Sequence, residues 1–244
     1  MISKNQIKYI RQLEQKKHRR MEGAFVAEGP KVVGDLLEAG FEPLQLYALD
    51  SWNSKGRALQ TVTDEELRKV SFLQHPQQVL AVFRMPDADS TQKPQGRLVL
   101  ALDGVQDPGN LGTIIRVADW FGITTIYCSE DTADAWNPKV VQATMGSIAR
   151  VNMVYTDLEA LIKTAKMPVY GTLLDGENIY TQILGEEGII VMGNEGNGIS
   201  MPIRRLITNK LLIPQFHEGP ESLNVAIATA ITCSEFRRAS APQS

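Results

Sequence analysis

The chain has 244 residues, of which 43% are hydrophobic and 22% charged, enough apolar material for one large core or two modest ones. The amino terminus MISKNQIKYIRQ lacks an apolar signal core and no run of about 18 apolar residues occurs, so neither a secretory leader nor a membrane span is expected, and the cytoplasm is the expected compartment. A formal charge of -3 argues against a uniformly basic nucleic-acid binder.

That average hides an asymmetry. Residues 1–20 carry Lys4, Lys8, Arg11, Lys16, Lys17, Arg19 and Arg20 against Glu14 alone, so the remainder is strongly acidic. Such a run is either a solvated helix face or an electrostatic footprint for phosphates. Ser3 and Gln6 form a capping-box pattern ahead of Ile7, Ile10 and Leu13, which predicts a helix over about residues 4–17. "AFVAE" reads as a strand, "PKVVGDLLEAG" as a helix stopped by Gly40, and "PLQLYAL" as a strand. Thr63 and Glu66 make a second capping box before the strand "QQVLAVFRM". Residues 86–96, "PDADSTQKPQG", have no apolar periodicity and form the best linker, which sets domains at 1–88 and 97–244.

Beyond the linker strands and helices alternate. The strands are "RLVLALD", "ITTIYCS", "VNMVYT", "PVYGTLL", "GIIVMG" and "KLLIP". The helices fall near 111–121, 138–149 and 157–166, after Met201, and at about 222–238. Alternation of this kind predicts an α/β fold, a mostly parallel sheet with helices on both faces.

Ligands on such sheets bind outside the carboxyl ends of the strands. Three loops leave those ends: "DGVQDPGNLGTIIR", "GNEGNGIS" and "PQFHEGPESLN". The glycines of the second allow close backbone approach, but there is no ordered G-x-G-x-x-G followed by an acidic residue about 20 positions on, and no P-loop motif. His18, His75 and His217 stand singly without metal-ligand spacing, so no metal is expected. Cys128 and Cys233 lack CxxC spacing and are expected as small buried hydrophobes without a disulfide. Ser222 is expected to cap its helix.

Jointly, "NLGTIIR" (Asn110 to Arg116), "GNEGNGIS" (Gly193 to Ser200) and "IPQFHEGPESLNVAIA" (Ile213 to Ala228) resemble, in order and spacing, the three motifs of the SpoU, or TrmH-like, branch of the SPOUT RNA methyltransferases. The amino-terminal "EQKKHRRMEGAFVAEGPKVV" resembles the small α/β, L30e-like substrate-binding domain that often precedes them. The resemblance implies transfer of a methyl group from S-adenosylmethionine to a ribose 2'-hydroxyl of RNA, rRNA somewhat more than tRNA. It also implies a homodimer and a carboxyl-terminal deep trefoil knot, an exception to un-knotted topology.

Residue by residue, the resemblance places catalytic groups at Arg116, Asn110, Glu195, Ser222 and Asn224. It places the cofactor at Leu173, Gly193, Asn194, Gly196, Gly198, Ile213, Ser222 and Leu223, while the basic run, taken with the amino-terminal resemblance, puts RNA contacts at Lys16, Lys17, Arg19, Arg20 and Lys31. A guanidinium does not lose its proton in a protein. Arg116 is therefore expected to grip phosphate and steady the developing alkoxide, while the proton leaves to phosphate, water or Glu195. The chain departs from the family pattern at Val117, where threonine is common, and in the long polar stretch between Pro214 and Ser222. Two other classes are weighed: a non-catalytic RNA-binding protein on the same fold, against which the intact polar set counts, and a nucleotide-dependent oxidoreductase, whose fingerprint is missing.

Overall fold

The computed structural model describes residues 1–87, 93–217 and 222–238. Its elements run, in chain order, α1 (Lys4–Gln12), α2 (Lys16–Glu22), β1 (Ala24–Glu28), α3 (Pro30–Glu38), β2 (Pro43–Ala48), β3 (Gln60–Thr61), α4 (Asp64–Val70) and β4 (Val79–Arg84). They continue β5 (Leu98–Asp103), α5 (Pro108–Trp120), β6 (Thr125–Cys128), α6 (Pro138–Ala143), a 3-10 turn at Ser147–Ala149, β7 (Asn152–Tyr155) and α7 (Leu158–Ala165). The last are β8 (Val169–Asn178), a 3-10 turn at Ile179–Thr181, β9 (Gly188–Gly193), α8 (Met201–Arg204), β10 (Asn209–Leu212) and α9 (Val225–Arg238). These form two compact units, Met1–Asp87 with Asp134–Arg150, and Ala88–Ala133 with Val151–Ser244.

The first unit is a four-stranded mixed sheet in the order β1-β4-β2-β3. One face buries Ile10, Leu13, Val26, Tyr47, Leu67, Leu80 and Val82 beneath α1 and α4. On β1 and β4 the alternate residues Phe25 and Phe83 stack at 5.7 Å. Phe41 meets Phe25 edge-on at 6.1 Å, and Trp136 lies 4.6 Å from it. Both faces of β1 are thus buried, which is why "AFVAE" reads as a continuous apolar run rather than an alternating one.

The helix expected over 4–17 is broken in two. The Ser3–Gln6 capping box forms as the sequence indicates, but Gln15 is extended and starts a new helix. The break frees the carbonyls of Leu13 and Glu14, and the Arg19 guanidinium donates to both, at 2.8 and 2.7 Å. Residues 138–149 also break, at Met145 and Gly146, both with positive φ, and they pack on the first unit instead of on the parallel sheet.

The second unit is a six-stranded sheet in the order β10-β8-β9-β5-β6-β7, parallel at every pairing. Residues of α7 and α8 pack with Val99, Ala101, Ile189 and Val191 to form one buried cluster. Helices α5 and α9 pack on each other, α5 reaching β6 and α9 reaching β9, which completes the expected two-sided cover. Arg237 Nε donates to the Phe121 carbonyl at 2.9 Å, and Phe236 meets Tyr170 edge-on at 4.7 Å, which fixes the end of α9. Gly176 lets β8 pass against the backbone of Leu211 so closely that a Cβ there would meet the Leu211 carbonyl carbon at 2.5 Å. Cys128 and Cys233 are both free and buried as expected, and burial pushes both thiols well up.

Candidate active site

The order of the sheet puts β5 and β9 side by side, with Asp103 opposite Gly193 at their carboxyl ends. Their loops therefore leave the sheet together, where open parallel sheets bind ligands. Asp107 caps α5 by accepting from the Asn110 amide at 2.8 Å, and Pro108 follows at the first helical position. Glu195 reaches across from the β9 loop. Its Oε1 accepts from the Asp107 amide at 3.1 Å and from Asn110 Nδ2 at 3.0 Å, and its Oε2 accepts from the Gln106 amide at 3.2 Å.

Asn110 continues the chain of bonds. Its Oδ1 accepts from Asn224 Nδ2 at 2.8 Å, and Asn224 Oδ1 in turn accepts from the amides of Ala226 and Ile227 at 2.9 and 3.3 Å. Asn224 is therefore the cap of α9, which starts at Val225. The expected capping role of Ser222 is corrected by this: Ser222 is exposed and lies two residues outside the cap. The asparagine wins because its side chain reaches two amides of the first turn from the residue immediately before it.

The β9 loop folds on itself. Asn194 Nδ2 donates to the Gly104 carbonyl at 2.7 Å, and its Oδ1 accepts from the amides of Gly196 and Asn197 at 2.9 and 3.0 Å. Gly198 closes the turn at φ 68, and Gly193 sits against the backbone of Gly198 and Ile199 with no room for a Cβ. Asp103 Oδ2 accepts from the Ser200 amide at 2.7 Å. The carboxylates of Asp103 and Asp107 and the amides they hold were missed in the sequence reading. The Asp107–Pro108 pair is itself a cap signal that could have shown one of them.

The electrostatics of Glu195 bear on its expected role as a proton acceptor. Partial burial pushes its carboxyl up, but the bonds from Asn110 and from the backbone of Glu195, Gln106 and Asp107 outweigh this and hold it below the usual carboxylate range. A carboxylate with both oxygens engaged and its basicity lowered is a clamp between loops, poorly suited to accept the hydroxyl proton.

Arg116 stands apart from this network. Six residues beyond Asn110, it is displaced about 9 Å along the helix and turned to another face. It is exposed in a stripe with Gly109, Thr113 and Trp120, and no hydrogen bond or ion pair to another described residue holds it. Among the expected cofactor positions, Gly193 is buried, Gly196 and Gly198 are exposed, Asn194, Leu173 and Ile213 are half-buried, and Leu223 is 48% exposed. Leu173 packs on the sheet core.

The expected RNA-contact residues lie in the first unit. Lys17, Arg20 and Lys31 are exposed and Lys16 is half-buried. Arg19 is overturned as a surface residue, being only 1% exposed, with Nε and Nη2 donating to Asp134 Oδ2 at 3.1 and 2.5 Å. The freed carbonyls at the α1–α2 break and the Asp134 carboxylate together consume its donors. Among the described residues no His, Cys, Asp and Glu group could hold a metal ion, and no helix is long and apolar enough to cross a membrane.

Residues 97–234 match the family model described as the SpoU rRNA Methylase family, and residues 4–81 match the MRM3-like substrate binding domain. The chain is 31% identical to a 23S rRNA (guanosine(2553)-2'-O)-methyltransferase of Bacillus subtilis, over 96% of this chain and 97% of that protein. Among solved structures it is similar to a putative RNA methyltransferase of the TrmH family from Porphyromonas gingivalis, with a TM-score of 0.87 and 42% identity, covering 98% and 99% of the two chains. It is similar also to an AdoMet-bound rRNA methyltransferase from Sinorhizobium meliloti, with a TM-score of 0.87 and 33% identity, covering 98% and 97%.

Proposed function

Since this chain belongs to the SpoU rRNA methylase family and is an S-adenosylmethionine-dependent RNA 2'-O-methyltransferase, we propose that its target is ribosomal RNA and that its catalytic residues are those of the three joined loops. The observation that carries the assignment of residues is the hydrogen-bonded series Glu195–Asn110–Asn224, which ties together the loop after β5, the loop after β9 and the start of α9. In this reading residues 97–244 carry the catalytic domain and 1–88 the RNA-binding domain, with Asp134–Arg150 packed into the latter.

The residues present fit the cofactor. At Gly198 nothing lies within 4 Å of where a side chain would be, and at Gly196 only Asn194 Oδ1 approaches, so the backbone between them is open to a ligand. Ile213 follows β10, whose carboxyl end points the same way as that of β9 in an all-parallel sheet, and with Leu223 it supplies apolar surface for an adenine. S-adenosylmethionine supplies an electrophilic sulfonium methyl. That methyl would go to the ribose 2'-oxygen with loss of the carbon–sulfur bond, and the hydroxyl proton would leave to phosphate or water. Arg116 holds the neighbouring phosphate and steadies the developing alkoxide, its planar fork reaching two oxygens at once. Ser222 touches phosphate beside it.

A homodimer through α5 and α9 belongs to the same reading. Trp120 is 86% exposed on α5 and Ile227 51% exposed on α9, two large apolar side chains that this pair of packed helices leaves uncovered. The trefoil knot belongs to the same reading, carried by membership of the family. The buried free thiols suit the cytoplasm. The test is methyl transfer from labelled S-adenosylmethionine to total RNA of a strain lacking the gene, followed by mapping of alkali-resistant linkages. Label in 23S rRNA at one ribose is expected; label in tRNA alone would overturn the ribosomal target, and a monomer by light scattering would overturn the dimer.

A further inference from the structure

The basic run at residues 1–20 is a weaker candidate for RNA contact than its charge suggests. Arg19 is buried, and Arg11 donates to the Ser71 carbonyl at 2.7 Å and lies over the Phe72 ring. A different surface of the first unit combines cations with an aromatic face. The segment after β2 folds back over α3 and leaves a cleft of about 210 Å³ lined by Trp52, Lys31, Lys55 and Arg57 together with Asp35 and Glu38.

This cleft is built. Asn53 Oδ1 accepts from the Lys55 amide at 2.9 Å, Lys55 and Gly56 adopt positive φ, and the amides of Trp52 and Arg57 donate to the carbonyls of Leu49 and Ser54. Lys55 Nζ meets Glu38 at 2.7 Å, and Lys31 Nζ meets Asp35 at 3.1 Å, with Arg150 3.5 Å from the same carboxylate. The two acids thus hold side chains in place without cancelling the charge, since four cations surround them. Trp52 is half-buried and lines the cleft.

We propose that this cleft is a single-stranded RNA subsite, in which an unstacked base lies on Trp52 while Lys31, Lys55 and Arg57 hold the flanking phosphates. It deepens the RNA methyltransferase reading and rests on it. An aromatic face beside pairs of cations is the chemistry that recognises splayed single-stranded nucleotides, whereas duplex RNA keeps its bases stacked and out of reach. The charge is too local for a purely electrostatic footprint, and the indole is wasted on one.

The test uses the full-length protein and a uridine dodecamer. In a Trp120→Phe background the oligonucleotide should quench tryptophan fluorescence, and adding Trp52→Phe should abolish that quenching. Trp52→Ala should raise KM for RNA about tenfold with kcat within twofold, and Trp52→Phe, which still stacks, should restore it. Lys55→Ala with Arg57→Ala should lower the slope of log affinity against log salt by about 1.4, two single-strand phosphate contacts at about 0.7 each. Quenching that survives Trp52→Phe, an unchanged salt slope, or equal competition by poly-L-glutamate would overturn the subsite. A wild-type protein that binds the dodecamer at Trp52 but methylates no RNA would instead overturn the functional reading and leave the subsite standing.

Discussion

The two units use arginine in opposite ways. In the first, Arg19 is sealed from water and each of its three guanidinium nitrogens donates to Leu13, Glu14 or Asp134. In the second, Arg116 stands exposed on α5, while the joined loops are held by side-chain amides and the carboxylates of Glu195, Asp103 and Asp107. A cation committed to structure is taken up by protein acceptors, whereas one left exposed stays open to a ligand, the role proposed above for Arg116. The difference teaches that sequence position within a basic run says little about role, because what decides it is which backbone acceptors the fold leaves open.

Substitution should separate the two. Arg19→Ala leaves Asp134 as an uncompensated, largely buried carboxylate, and a cost of about 3–5 kcal/mol is expected. Urea unfolding should show it as a lower midpoint, with S-adenosylmethionine affinity of the folded protein nearly unchanged. Arg116→Ala should do the reverse, lowering the rate by roughly 10²–10³ at saturating cofactor with little change in stability. Lysine should rescue poorly, and residual activity should keep the wild-type pH shape at a lower level, since the arginine does not titrate. An Arg116→Ala enzyme close to wild type in rate would erase the contrast.

Glu195→Gln sharpens the comparison on a smaller scale. Glutamine turns an amide toward backbone N–H groups that need acceptors, and a loss of about 1–3 kcal/mol in the loop's hold is expected, read as weaker cofactor affinity by calorimetry. The wild-type carboxyl is held below the usual range, so its contribution is complete above the unfolded carboxylate pKa and is lost only as pH falls through the lower folded value. Cofactor affinity should therefore stay level from neutrality to about pH 5 as far as Glu195 is concerned. The smallest effect belongs to Lys17→Ala and Arg20→Ala, which should change stability by less than about 0.5 kcal/mol.

Much of this molecule was legible in advance, and for identifiable reasons. The two capping boxes at Ser3 and Thr63 form as read, because such bonds are local and depend on residues three apart. The parallel sheet followed from alternation, and the resemblance to the SpoU motifs is what set Asn110, Glu195 and Asn224 in one site. What could not be read depended on distant partners. Arg19 looked like its basic neighbours because Asp134 lies 115 positions away. The break after Gln12 had no proline or glycine to mark it, and the cap of α9 went to Asn224 over Ser222 through a difference of two residues in where the helix starts.

The excursion of Asp134–Arg150 into the first unit bears on how the protein is made. Trp136 covers Phe25 and Asp134 neutralises Arg19, so the amino-terminal unit lacks part of its core until the chain has been synthesised past Arg150. At about 5–20 residues per second, the ribosome holds that unit incomplete for roughly 3–13 s after Asp87 is added. During that interval β5, α5 and β6 are already present without β7 to β10. The nascent chain thus cannot finish one unit before beginning the other, and co-translational folding of the two is interleaved by the path of the polypeptide itself.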